Sequence, residues 1–431
     1  MSRVRAHKRC AQPLVRPARS LPAVGEGLQL RQAGGAAILA GVSAPPPDEL
    51  FAACLDAVVP TGERVLLAVS GGSDSMALLE CAAAVCPERV TVAHVHHGVR
   101  GDAADRDAAL VARVAVAKGL RHVRLEAPPR VGARKDAGLR GASGTGAGPE
   151  ADGGPPGRDP EATETACRRR RLGALEEAAR AGAAEWVFTA HHRGDAHETM
   201  LLHLTRGHRG DRALASIPTV RRMASGVRLV RPFLFGPWAP DREALARWRA
   251  GRGVPHREDA TNADEGIPRN AWRARLAAGG PPLDAPTLEA VRAAAQRRLQ
   301  ARVARVAARF EAGLRPEGLG SFLGHEALRC PADDTPEAWW PEVLRLLGAA
   351  LAAPRHLAPR RSGVASLVQL LGRDRRASLE LPADPTPVQL AVSPAGLHLP
   401  HEALIYRADP VARVLTALEH GGLHLGPGCS S

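Results

Sequence analysis

The sequence predicts an α/β fold: a parallel sheet with helices on both faces, followed by a helical region and a small α+β C-terminal segment. Three observations predict it. Short apolar runs alternate with helical stretches between residues 64 and 190, glycines close several of those stretches, and beyond about 285 long Ala/Arg/Leu-rich segments take over. Strands that alternate with helices of roughly 10 to 15 residues belong to parallel sheets, because each crossover needs a helix that then covers a face.

Each element follows in order. RVLLAV (64–69) is a first strand, MALLECAAAV (76–85) a helix, VTVAHV (90–95) a second strand, and RDAALVARVAVAKG (106–119) a helix closed by Gly119. HVRLEA (122–127) gives a third strand, RRLGALEEAARAG (170–182) a helix closed by Gly182, and EWVFTA (185–190) a fourth strand. Residues 128–160 are rich in Gly, Pro and Ala and bury too little to repay ordering, so they read as a disordered insertion. Residues 1–45 form a basic leader, with Arg3, Arg5, Lys8, Arg9, Arg16, Arg19 and Arg31 against the single acid Glu26. The expected division is an α/β domain over 46–280, a helical region over 281–375 and an α+β segment over 376–431, where SLEL and VQLAV alternate.

Composition narrows the partners. With 431 residues, 45% of them hydrophobic, the chain can bury a sizeable core. Its net charge of +13 favours a polyanionic partner such as nucleic acid. Residues 201–275 alone carry 15 arginines against 7 acids. Seven scattered cysteines without a CxxC pair argue against a disulfide framework, a zinc ribbon or a cysteine-held cluster. No apolar run approaches the roughly 18 residues of a membrane span, and the expected location is cytoplasmic. Aromatic residues are scarce, so base stacking would fall to Trp238, Trp248 or Trp272, each of which serves equally well as core, or to arginine planes.

Three stretches carry chemistry. AVSGGSDSMALL (68–79) joins the first strand to the first helix. A glycine-rich turn at a helix N-terminus gathers backbone N–H groups for phosphate oxygens. The nucleophile-elbow reading needs a glycine where Ser75 stands, and the bland reading makes Ser73 or Asp74 a helix cap. The Walker pattern GxxxxGK is absent, so no lysine grips a transferred γ-phosphate. HVHHG, with His94, His96 and His97, resembles a metal cluster but lacks acidic ligands after it. In AHHRGDAHET (190–199), Asp195 and Glu198 share a helix face; the bland reading makes Asp195 the N-cap and Glu198 its capping-box partner.

Taken in order, SGGSDS (70–75), HVHHGVR (94–100), ACRRRRLGAL (166–175), TAHHRGDAHETMLLHLTRG (189–207), VRPFL (230–234), EDATNAD (258–264) and PRNAWRARL (268–276) resemble the tRNA(Ile)-lysidine synthase family of the ATP-pyrophosphatase, or PP-loop, superfamily. The resemblance implies a Rossmann-like PP-loop domain. It also implies a ligase that joins free lysine to C2 of the wobble cytidine of tRNA(Ile) with a CAU anticodon. That reaction runs through an adenylated base and consumes ATP with Mg²⁺. By the resemblance, Ser70, Gly71, Gly72, Ser73, Asp74 and Ser75 hold phosphates together with His97 and Arg100, and Asp74 serves Mg²⁺. Asp195 and Glu198 receive the lysine ammonium, Arg231 is catalytic, and Arg206, Arg269, Asn270 and Arg273 meet tRNA or the intermediate. A homodimer is one assembly the family offers, and no membrane partner is expected. Departures are Gly194 and Ala196, where the family carries an acid and a glutamine, His96 in place of Asn or Asp, and Leu172 in place of a common tyrosine. The rival readings are a PP-loop tRNA thiolase, a tRNA-binding protein that has lost catalysis, and a serine esterase.

Overall fold

Four apolar runs form the parallel strands that the alternation predicts: β1 (Val65–Ala68), β2 (Val90–His96), β3 (Arg121–Glu126) and β4 (Trp186–Phe188). A hairpin adds β5 (Val220–Arg222) and β6 (Arg228–Val230). The order across the sheet is β3-β2-β1-β4-β6-β5, parallel throughout except at the β5 edge. β1 therefore has β2 on one side and β4 on the other, which makes the crevice at their carboxyl ends a switch point, where sheets of this kind bind ligands. The computed structural model describes residues 44–96, 102–127, 164–223, 226–258, 268–279, 284–317, 320–350, 377–381, 388–393 and 396–399. The expected insertion, nearly all of the leader, and residues 351–375 of the expected helical region lie outside the described residues.

Helices cover both faces. α1 (Pro47–Val58) sets the ring of Phe51 5.5 Å from that of Phe188. The neighbouring Val187 joins Leu66, Ala93, Val95 and Leu229 beneath Leu175 and Ala179 of α4 (Glu164–Ala181). Adjacent strand residues point to opposite sides, so Val187 and Phe188 separate the two helical layers. α2 (Ser73–Val85) is apolar almost all round, with Met76, Leu78, Leu79 and Cys81 fully buried. A helix of that kind needs cover on more than one side. α1 and α7 (Arg242–Gly251) supply it from outside the sheet, and α3 (Asp102–Ala117) packs on β2 and β3.

α5 (Arg193–Thr205) follows β4, with α6 (Asp211–Ala215) beyond it. Later come α8 (Pro268–Ala278) and the long α9 (Ala285–Gly313), whose Ala295, Leu299 and Val303 pack on Ala215. Arg302 of α9 clasps Asp211 and Asp334 at once. A second, antiparallel sheet has the order β7-β8-β11-β10-β9, from β7 (Leu314–Glu317), β8 (Gly320–Gly324), β9 (Ala377–Leu381), β10 (Val388–Ser393) and β11 (Gly396–Leu399). Between its two halves lie α10 (His325–Leu328) and α11 (Pro336–Ala350). This one sheet draws strands from both sides of the division expected at residue 376. Among the described residues no helix is long and apolar enough to cross a membrane.

Candidate active site

The turn after β1 is held open by its own side chains. Gly71 has φ +93°, a left-handed conformation that a residue with a Cβ adopts only under strain. Ser75 Oγ donates to Gly72 O at 2.9 Å and receives the Ser70 amide at 3.2 Å and the Ser70 hydroxyl at 3.1 Å. One proton and two lone pairs are all that a hydroxyl has, so Ser75 is saturated and serves the turn's shape. The cap expected from Ser73 or Asp74 does not form. α2 starts at Ser73, which leaves the N-cap position to Gly72, and no side chain caps the helix. The amides of the first turn, which have no intrahelical acceptors, therefore remain available to an anion.

Outside elements grip this turn. The Arg257 amide donates to Gly71 O at 3.0 Å, and the Arg257 guanidinium pairs with Asp107 of α3 at 2.6 Å. Arg249, 8% exposed on α7, donates through Nε to Ser73 Oγ at 3.2 Å and through a terminal nitrogen to Val254 O at 2.6 Å. The sequence reading missed both arginines. The available signal was the position of Arg249 four residues after the buried Leu245, on the inward face of α7.

α5 brings the acids to the same place. Its cap lies three residues before the expected one: His192 is the N-cap and Asp195 is its N3 partner, whose carboxylate accepts from the His192 amide at 3.0 Å. This corrects the expectation of Asp195 as N-cap with Glu198 as partner. Histidine is not among the strong capping residues, so the pattern did not reveal it. His192 Nε2 stands 3.6 Å from Asp74 Oδ2 and 3.6 Å from Asp195 Oδ2. At that distance the attraction is electrostatic, without a hydrogen bond. Burial pulls the His192 imidazole down, but Asp195 and Asp74 outweigh it and raise its pKa. Asp195 is opposed by burial, yet His192, Arg269 and the hydrogen bond from the His192 amide hold it well below the usual carboxylate range. It is ionised at neutral pH. Asp74 Oδ1 is buried and has no partner among the described residues.

Behind this pair lies a second tier. Glu198, 3% exposed, accepts from Arg269 Nε at 2.7 Å and Arg273 Nε at 2.8 Å, both on α8. Arg269 also reaches Asp195 at 3.0 Å, and Arg273 touches Asn270 Oδ1 at 3.4 Å. The two arginines expected to meet RNA are thus bound to the two expected acids. Arg231, 1% exposed, follows β6 and donates to Pro218 O at 2.6 Å, while its Nε has no partner among the described residues. Burial first, then Arg221 and Arg168, pull its guanidinium below its usual pKa. Beside it, burial and Arg231 push His191 well down, so that imidazole is neutral.

Arg206 is exposed at the end of α5. His97, Arg100 and the EDATNAD stretch from Asp259 onward lie outside the described residues. His94 braces the end of β1 through Val69 O at 3.0 Å, and His96 sits between Asp105 and Glu126 at 3.4 and 3.2 Å. Arginines already cover two of the tryptophans, Arg252 at 4.3 Å from Trp248 and Arg275 at 5.1 Å from Trp272.

A family profile described as a PP-loop domain matches residues 48–278, which hold the whole arrangement of cradle, histidine and acids. The chain belongs to the PP-loop family. Similar curated proteins include the tRNA(Ile)-lysidine synthase of Symbiobacterium thermophilum, 34% identical over 218 residues, which make up 50% of this chain and 39% of that one. The tRNA(Ile)-lysidine synthase of Ralstonia nicotianae is 38% identical over 232 residues, 52% of this chain and 43% of that one. This PP-loop chain thus spans less than half the length of either relative. Among solved structures, the U34-tRNA thiolase NcsA from Methanococcus maripaludis aligns with TM-score 0.40 and 12% identity, covering 58% of this chain and 77% of that one.

Proposed function

We propose that the protein ligates free L-lysine to C2 of the wobble cytidine in tRNA(Ile) bearing a CAU anticodon, converting ATP to AMP and pyrophosphate. One observation carries the reading: a single imidazole, His192, lies 3.6 Å from both Asp74 of the phosphate turn and Asp195 of the acid pair. An adenylating cradle and an ammonium site then share one crevice. The relatives named tRNA(Ile)-lysidine synthase support the choice of substrate.

The chemistry proceeds in two displacements. The cytidine O2 attacks the α-phosphorus and pyrophosphate leaves; the lysine ε-amine then attacks C2, the C–O bond breaks and AMP departs. A turn without a Walker lysine suits phosphates that leave together. The ε-amine has a pKa of about 10.4 and arrives protonated. Asp195, held ionised, anchors the ammonium, which gives up a proton to solvent before the neutral amine attacks C2. Glu198 supplies the second carboxylate, and an incoming ammonium shares it with Arg269 and Arg273. Arg231 would place a buried cation near the phosphoryl group that charges up in the first step.

Mg²⁺ fits this donor set. It is typically bound by one or two carboxylates with substrate phosphates and water, and the unpartnered Oδ1 of Asp74 offers one such ligand. Bound there, the ion would neutralise charge on the departing pyrophosphate. The exposed arginines of the stretch 201–275, Arg206 among them, would face tRNA phosphates, and the α9–α11 region with the second sheet would meet the tRNA body. The reaction belongs where tRNA is modified, in the cytoplasm.

Incubation of the full chain with isoleucine tRNA, ATP, Mg²⁺ and labelled lysine tests the reading. A mass gain of one lysine on the tRNA is expected. In a parallel incubation with a sulfide donor in place of lysine, a sulfur gain overturns it, as does tRNA binding without AMP release in either mixture. Asp74→Asn is expected to abolish AMP release while changing tRNA affinity less than twofold, because the loss falls on the cradle and leaves the basic face intact.

A further inference from the structure

Arg249 presents a buried cation with only neutral partners. It is 8% exposed and bonds to Ser73 Oγ, Val254 O and, at 3.5 Å, His256 Nε2; it makes no ion pair among the described residues. A buried charge without a counter-charge is costly. Here it also stands beside the positive end of α2, which adds to the cost unless an anion arrives. The three serines of the turn sharpen the point. The Ser75 proton goes to Gly72 O, and the Ser70 proton goes to Ser75 Oγ, whose own proton is already committed. Ser73 Oγ accepts from Arg249, so the Ser73 proton has no acceptor among the described residues.

We infer that Arg249 is a positioning residue of the phosphate cradle: it occupies a lone pair of Ser73, turns that hydroxyl into a donor toward a phosphate oxygen of ATP, and supplies the charge that the phosphate balances. The inference rests on the reading of the turn as an ATP site. It deepens that reading by naming Ser73 as the serine whose hydroxyl reaches the ligand, with Ser70 and Ser75 shaping the loop. Val254 O locks the guanidinium from the far side, so a lysine, which lacks the planar fork, cannot hold both bonds.

The test uses the full chain with ATP and AMP as probes, measured by calorimetry, with Arg249→Met, Arg249→Lys, Ser73→Ala and the double variant R249M/S73A. R249M is expected to weaken ATP binding roughly tenfold to a hundredfold, the range of a charge-assisted hydrogen bond. AMP, which lacks the departing phosphates, is expected to bind within twofold of wild type, an outcome that general loosening of the fold would not give. The double variant is expected to bind ATP no worse than R249M, because the two residues act through one contact. If R249M does not fold, S73A carries the test, since it removes the hydroxyl on which Arg249 acts and is expected to weaken ATP binding while leaving AMP binding within twofold of wild type; R249K reads the loss of the two-bond fork. Wild-type ATP affinity in R249K, equal ATP affinity in R249M, or additive losses in the double variant overturn the inference alone. Failure of the wild-type chain to bind ATP overturns the ATP reading and the inference together.

Discussion

His192 stands 3.6 Å from Asp74, and that contact joins α2 to α5, the helix that carries the acids. The same ring caps α5 by accepting from the Asp195 amide at 3.4 Å. Capping and bridging are separable. Asparagine is a strong N-cap but too short to extend the imidazole's reach, so His192→Asn is expected to keep the melting temperature near wild type. His192→Ala is expected to lose about 0.5–2 kcal/mol. Both are expected to lose at least tenfold in AMP release. Thermal melts beside an AMP-release assay separate the two effects.

Gly194 sets a condition on that ring. A Cβ at this position falls 2.9 Å from His192 Cε1 and 3.2 Å from Nδ1, so the imidazole must turn away. Gly194→Ala also gains about 1 kcal/mol of helix propensity, which offsets the loss of the cap. The expected outcome is a melting temperature within a few degrees of wild type and AMP release reduced tenfold or more. Unchanged AMP release would mean that the His192–Asp74 contact does not matter for the reaction.

Glu198 carries more stability than either arginine bound to it. Its side chain is 4% exposed and takes hydrogen bonds from both Arg269 and Arg273. Glu198→Ala takes one carboxylate from two half-buried cations, of which Arg269 keeps Asp195, and is expected to cost about 1.5–3 kcal/mol. Arg273→Ala leaves Arg269 in place and is expected to cost about half of that. Urea denaturation curves give both values.

Glu289 of α9 ties the later helices to α5, accepting from His197 Nε2 at 3.0 Å and from Arg292. Burial opposes its ionisation, but the bonds to His197 and Arg292 lower its pKa to about 2 from the usual 4.5. Its contribution to stability is therefore present above about pH 4.5 and is lost as the pH falls toward 2. The melting temperature of wild type is expected to exceed that of Glu289→Gln by several degrees near neutral pH, with the gap closing below about pH 4.5. A gap that widens in acid would contradict the assignment.

The parallel strands were legible because the Val, Leu and Phe runs at 64–69, 90–95 and 185–190 are short and set off by helical stretches. Strand order follows from where the crossovers go, and no periodicity encodes it. The caps were misplaced because Gly72 has no side chain with which to signal and His192 is an uncommon cap. β7 and β8 were hidden for another reason. Arg315, Pro316 and Glu317 carry no strand signature and become a strand only by pairing with Gly320–Phe322. Within the site, residue types were readable and their partners were not. The binding of Arg269 and Arg273 to Asp195 and Glu198 joins positions more than 70 apart in the chain and exists only once α8 lies on α5.

The antiparallel sheet has a consequence for synthesis on the ribosome. β8 bonds to β7 at once, but its other neighbour, β11, begins at Gly396, long after Gly324 has emerged. At roughly 5–20 residues per second, β8 waits several seconds with one row of backbone groups open. An open strand edge is a template for foreign strands. A nascent chain stalled between α11 and β11 thus holds β8 with that edge unpaired.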